Sequence, residues 1–153
     1  MKENVIRIEH RDRTCGSCTV CCEGWLNGNI YGYEMYPGRP CHFMGDGCCT
    51  IYNDRPETPC KKFYCQWLID TDIPEWLKPD QSKVLINKNE IAGEMCISLY
   101  EAGKEMDIKV LNYFFLEFYH GRIRNLRYQI DGVWHHLGTK QFLEFIKIVD
   151  QKV

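Results

Sequence analysis

Nine of the ten cysteines in this 153-residue chain fall between Cys15 and Cys65, and Cys96 is the tenth. A chain of this length can bury an adequate apolar core, so small size gives no reason for so many thiols. Residues 14–70 nevertheless read as a segment that cannot hold itself by apolar packing. The stretch is rich in Gly, Pro and Cys, with weak periodicity and turn signals at Gly24, Asn27-Gly28 and Asn53-Asp54. Its order is expected to come from cross-links. The first thirteen residues carry seven charged side chains and no apolar run of the kind a secretory signal needs, so the compartment expected is the cytoplasm. Thiols there stay reduced, and clustered cysteines become metal ligands or redox groups rather than disulfides. The competing reading is a secreted disulfide scaffold.

Cys15-Gly16-Ser17-Cys18-Thr19-Val20-Cys21-Cys22 places four thiols in eight residues as C-x2-C-x2-C-C. On a helix these would share an arc of about 120°. In a loop the x2 spacings would curl the chain around one centre, as in bacterial ferredoxins. Adjacent Cys21 and Cys22 are harder to place on one ion, because neighbouring side chains tend to point apart. They are expected to serve different irons or different sites, or one of them to stay off the metal. Cys41-His42, Cys48-Cys49, Cys60 and Cys65 form a second group, with Ile51-Tyr52 and Arg55-Pro56 between Cys49 and Cys60.

These residues resemble the CxxCxxCC (YkgJ-like) family of zinc- or iron-chelating proteins, distantly related to flagellin lysine N-methylase. In that family the first motif is followed by a lone Cys, a C-x-I-Y-x-x-R-P-x-x-C segment and a final Cys. The match covers Cys15, Cys18, Cys21, Cys22, Cys41, Cys49, Ile51, Tyr52, Arg55, Pro56, Cys60 and Cys65, with one extra residue between Pro56 and Cys60. A looser likeness runs through Trp67-Leu68 and Leu77-Lys78-Pro79-Asp80. The resemblance implies metal chelation through Cys15, Cys18, Cys21, Cys22, Cys41, Cys49, Cys60 and Cys65. The methylase activity is not carried over, because that relative is longer and no Gly-rich S-adenosylmethionine loop is visible here.

All-sulfur ligation suits zinc or an iron–sulfur cluster and disfavours magnesium and calcium. Three cysteines at consecutive x2 spacings wrap more naturally around a cuboidal cluster than around structural zinc, so iron–sulfur is preferred and zinc is the alternative. Eight thiolates could also make two four-sulfur sites. Arg39, Arg55, Lys61 and Lys62 lie where they could offset thiolate charge. His42 is read as adjacent to the metal or exposed, and His135-His136 as ordinary strand residues. Cys96 reads as a small buried hydrophobe, Cys48 as a spare thiol without an assigned role. Trp25, Tyr31, Tyr33 and Tyr36 are expected to cover the metal site and give the lobe a small core.

From residue 71 to 153 ordinary periodicity returns. Two strands over Lys83–Asn87 and Ile91–Tyr100 flank a turn at Lys88-Asn89-Glu90, with Met95, Ile97 and Leu99 on one face. Ile108, Leu111, Phe115 and Phe118 recur at helical spacing, with Gly121 as the stop. Leu126, Tyr128 and Ile130 alternate before Asp131-Gly132, a hairpin signal, and Val133–Leu137 forms the return strand. The last helix carries Phe142, Phe145, Ile146 and Val149, with Thr139 as its N-cap. The expected fold is a single α+β domain: a cysteine-rich irregular metal-binding lobe plus a small antiparallel sheet with two helices.

The function implied is metal binding, with redox or group-transfer chemistry left open and a catalytically inert zinc module for protein–protein contact as the alternative. A net charge of -2, from 19 Lys+Arg against 21 Asp+Glu, argues against nucleic acid. The most apolar stretch, Val110 to Tyr119, is about half a membrane span, so no membrane partner is expected. A protein or small-molecule substrate is not specified.

Overall fold

The computed structural model describes residues 13, 18, 20–25, 27–36, 38–46, 48–61 and 65–151. The Cys15 and Lys62 assignments, and the side chain of Cys48, lie outside the described residues.

Four strands make the central sheet: β5 (Val84–Ile91), β6 (Glu94–Glu101), β7 (Leu126–Ile130) and β8 (Val133–Leu137), adjacent in that order. Both hairpins turn through two consecutive residues of positive φ, the combination that matches strand twist. The β7–β8 turn is Asp131-Gly132 (φ 50° and 77°), as its sequence suggests. The β5–β6 turn is Ala92-Gly93 (φ 55° and 77°), so Lys88-Asn89-Glu90 is strand rather than turn. Gly93 tolerates that backbone where Lys88-Asn89-Glu90 supplies no glycine.

The sheet is not wholly antiparallel. After β6 the chain crosses through α3 (Ile108–Tyr119) before entering β7, so β6 and β7 run parallel, pairing Ile97 with Leu126 and Leu99 with Tyr128. Asp107 caps α3 by accepting from the Lys109 N–H at 2.8 Å, and Gly121 follows at φ 77°. The buried stripe of α3 is Val110, Leu111 and Phe114, while Ile108, expected on that stripe, is exposed in the first turn.

Side chains alternate across a strand. Val84, Ile86, Leu99 and Leu126 therefore meet α3 together with Trp67, Ile73, Leu77 and Met106. On the opposite face Cys96 packs with Phe142 and Ile146 of α4 (Lys140–Gln151). This cover buries Cys96 and Ser98 as well as Leu99, so β6 is enclosed on both faces, and Met95 is its exposed member. Phe145 and Val149, expected on the α4 stripe, are exposed.

On that second face Leu85 and Ala102 receive Val20, with Cys18, Cys21 and Trp25 packed around them. The cysteine-rich segment thus leans on the sheet through Val20. It contains two small hairpins, β1 (Gly28–Ile30) with β2 (Tyr33–Met35) and β3 (Met44–Gly45) with β4 (Cys48–Cys49). Two short helices, α1 (Gln66–Ile69) and α2 (Pro79–Ser82), carry the chain to β5. Among the described residues no helix is long and apolar enough to cross a membrane.

Candidate metal centre

Cys21 and Cys22 lie on a 3-10 turn, Val20–Glu23, and their sulfurs are 3.9 Å apart. Neighbouring thiols were expected to diverge, and here they converge: one rotatable bond per side chain suffices to bring both sulfurs to one side of a tight turn. Two thiolates on one tetrahedral ion with 2.3 Å bonds lie about 3.8 Å apart. The pair therefore has the separation one ion requires. The turn ends at Gly24 (φ 100°), where a Cβ would collide with the Tyr36 carbonyl.

Three other segments bring thiols to the same place. The Cys41 N–H donates to the Cys22 carbonyl at 2.7 Å, and the Cys41 carbonyl accepts from the Met44 N–H at 3.1 Å. Cys41 is buried with Ile30 and Met35, and Cys22 and Cys60 pack on that same cluster. Cys49 lies opposite Met44 in the β3–β4 hairpin. Cys60 follows Pro59 in the turn Glu57–Lys61, which closes through Lys61 N–H to the Pro56 carbonyl at 3.2 Å. That turn abuts β1 at Gly28, where any Cβ would lie 2.6 Å from the Pro59 ring.

The electrostatics reflect this crowding. Burial pushes the Cys60 thiol up, and Cys41, Cys49 and Cys21 add to the shift while Arg55 opposes it. Cys21 is pushed far up, first by its hydrogen bond with Cys22 and then by burial. Burial and the neighbouring thiols favour the protonated forms of Cys21 and Cys60. A soft divalent ion would displace those protons. Arg55 is the expected basic residue that acts here; its Nε donates to the Tyr52 carbonyl at 2.8 Å, and its guanidinium lies 3.9 Å over the Tyr52 ring. Lys61 instead meets Glu57 at 3.7 Å, and Arg39 pairs by its backbone with Tyr36.

Cys18 shares the sheet-side cluster with Cys21, and Cys65 stands elsewhere. Cys18 packs against the Val20–Leu85–Ala102 cluster, its thiol raised first by burial, with the Val20 and Asp80 backbone N–H groups lowering it. Cys65 precedes α1 and packs on the main core, its carbonyl accepting from Leu68 N–H at 3.0 Å. Among the described residues no three His, Cys, Asp or Glu side chains stand in coordinating positions.

Several other expectations resolve simply. Tyr31, Tyr33 and Tyr36 stay exposed, and the lobe's core is Ile30, Met35 and Cys41. His42 lies flat on Tyr33, ring centroids 3.7 Å apart. His135 stacks on Tyr128, and His136 lies 6.2 Å from Phe142.

Sequence reasoning passed over two residues. The Arg13 guanidinium donates to the carbonyls of Trp67 (2.7 Å), Asp70 (3.0 Å), Thr71 (3.3 Å) and Ile73 (2.5 Å), and lies 4.5 Å over the Trp67 ring. It ties the chain just before the first cysteine motif to the segment after the last one. Nothing in the sequence distinguished it among the charged residues of the N-terminal stretch. Asp80 has a carboxylate oxygen, Oδ1, that is buried with no partner among the described residues. Its only signal was the loose likeness at Leu77-Lys78-Pro79-Asp80.

Comparison with models of known families, with curated proteins and with solved structures finds no match for the chain.

Proposed function

We propose that this protein binds a soft metal through cysteine thiolates, as its resemblance to the CxxCxxCC family implies, and that the metal orders the lobe formed by residues 14–70. The observation that carries this reading is the gathering of Cys21, Cys22, Cys41, Cys49 and Cys60 from separate segments into a lobe with three buried apolar side chains at its centre. As ligands the thiols cross-link segments that are otherwise joined by a few backbone hydrogen bonds.

The 3.9 Å between Cys21 and Cys22 supports two thiolates on one ion. Zinc accepts that arrangement, and so does each iron of a two-iron cluster with four cysteines. A cuboidal cluster, with one cysteine per iron, fits the vicinal pair less well, so the order of preference from the spacing alone is reversed. Bound zinc would supply a rigid cross-link, and a two-iron cluster would add one-electron chemistry.

The chain's own residues do the rest. The 3-10 turn presents Cys21 and Cys22 together, the Cys41 N–H fixes the Cys22 carbonyl, and Arg55 supplies positive charge beside the sulfurs. A second reading, chemistry on a substrate, has one observation in its favour. A cleft of about 690 Å³ opens beside the lobe, lined by Trp25 from just after the cysteine motif and by Tyr100 and Trp134 of the sheet.

Single substitutions test the leading reading. Cys22→Ser and Cys41→Ser, prepared without oxygen, should lose bound metal, whereas Cys96→Ser should keep it. Equal metal content in all three would refute the assignment.

A further inference from the structure

Basic side chains in this fold rest on aromatic rings. Arg13 lies 4.5 Å over Trp67, Lys109 4.2 Å over Trp76, Arg127 3.9 Å over Trp134 and Arg55 3.9 Å over Tyr52. Trp25 is the exception among the four tryptophans. No cation among the described residues covers its ring, and it lines the cleft of about 690 Å³ beside the lobe.

The sheet builds most of that cleft. Tyr100 stands opposite Leu85 of β5, and Trp134 opposite Gln129 of β7. Their rings meet edge to face across β7, centroids 5.1 Å apart. Trp25 closes against Gly103 (φ 98°), where a Cβ would lie 3.3 Å from the indole. The Glu101 carboxylate fixes two rims. It accepts from the Met106 N–H at 2.7 Å in the loop after β6, and from the Asp131 and Gly132 N–H groups at 3.0 and 2.6 Å in the β7–β8 turn. That loop carries Lys104 and Glu105 and that turn carries Asp131, all exposed, and among the described residues no ion pair engages any of the three. With Glu101 the lining holds three carboxylates against one ammonium.

Such an excess of carboxylate repels phosphate-bearing and carboxylate ligands and draws cations. Aromatic faces attract organic cations in particular, and a guanidinium is planar, weakly hydrated, stacks on an indole and donates to carboxylates through a fixed fork. The volume is that of a small-molecule site. We propose that this cleft binds a small molecule bearing a guanidinium group, stacked on Trp25 with its N–H groups directed to the carboxylates of Glu105 and Asp131. Arg127 on the Trp134 ring is the fold's own version of that contact. The inference names a ligand for the cleft of the second reading above. It claims binding alone, so it rests on the cleft and not on the metal.

The test titrates the full chain, its metal content recorded, with propylguanidinium while NMR follows the indole N–H signals. Propylurea serves as the uncharged counterpart and butylammonium as the non-planar one. Propylguanidinium should shift the Trp25 and Trp134 signals and leave in place those of Trp67 and Trp76, which pack on the main core. It should bind about tenfold more tightly than propylurea and about threefold more tightly than butylammonium. Glu105→Gln combined with Asp131→Asn should weaken it by about fivefold or more, Lys104→Gln should tighten it, and Trp25→Leu should abolish it. Equal affinity for either counterpart, or an affinity that the charge variants do not move, overturns the proposal. Should Trp25→Leu fail to fold, the charge variants, made at exposed side chains, decide it. A wild-type chain whose Trp25 and Trp134 signals stay unshifted overturns it whatever the metal content; binding by a metal-free chain upholds it and brings down the metal reading alone.

Discussion

Replacing Asn125 with alanine should release α4 from the sheet. Asn125 is fully buried at the start of β7. Its Oδ1 accepts from the Thr139 N–H at 2.9 Å, and its Nδ2 donates to the Met95 carbonyl at 3.0 Å and to Glu94 Oε2 at 3.3 Å. Thr139 in turn donates to Glu94 Oε1 at 2.7 Å and caps α4 by accepting from the Phe142 N–H at 3.2 Å. Gly138 leaves room for this amide, since a Cβ there would collide with Asn125 Oδ1 and stand 2.8 Å from the Phe142 ring. Two neutral bonds at about 1 kcal/mol each and one to a carboxylate at about 1.5–3 kcal/mol give a loss of about 3.5–5 kcal/mol. For a chain of this size each kcal/mol moves Tm by about 2–4 °C, so the midpoint should fall by about 7–20 °C. Urea denaturation and calorimetry of the full chain measure both quantities. A loss below about 1 kcal/mol would refute the claim that this amide joins α4 to the sheet.

Three further outcomes are expected. Arg13→Ala should cost about 2–4 kcal/mol by freeing four carbonyls and uncovering Trp67, and Arg13→Lys should recover little of it, because one ammonium cannot reach all four; equal stability of Lys and Arg variants would contradict the clamp. Glu94 is held below the usual carboxylate range by Arg124 first, then by Thr139 and Asn125. A depressed folded value means its contribution is present above the unfolded pKa and is lost as pH falls through the folded one, so Glu94→Gln should flatten the acid limb of the stability profile; an unchanged limb argues against it. Chelation of the metal should erase the amide cross-peaks of residues 20–61 while those of 84–149 persist, and a single cooperative loss of both sets would show that the lobe and sheet do not order separately.

The sheet part was legible because its signals are local. Asp131-Gly132 sets its own turn, Thr139 caps its own helix, and Val133–Leu137 alternates as a strand should. What escaped was set at a distance. Lys88-Asn89-Glu90 looks like a turn until pairing with Met95, Cys96 and Ile97 holds it extended, and the parallel β6–β7 pair follows from where α3 packs. In the lobe the cysteine spacing marked the candidate ligands, but the approach of Cys21 to Cys22 depends on side-chain rotation, and the placement of Cys65 on the main core is set by tertiary packing. Asp80 became visible only once its buried oxygen was seen without a partner.

Metal content measured on protein purified without oxygen, alongside the visible spectrum and a free-thiol titration, tests metal binding most directly. Stoichiometric zinc in a colourless sample, or iron with inorganic sulfide in a coloured one, is the expected result, with zinc first. A metal-free protein whose cysteines titrate as disulfides would contradict it.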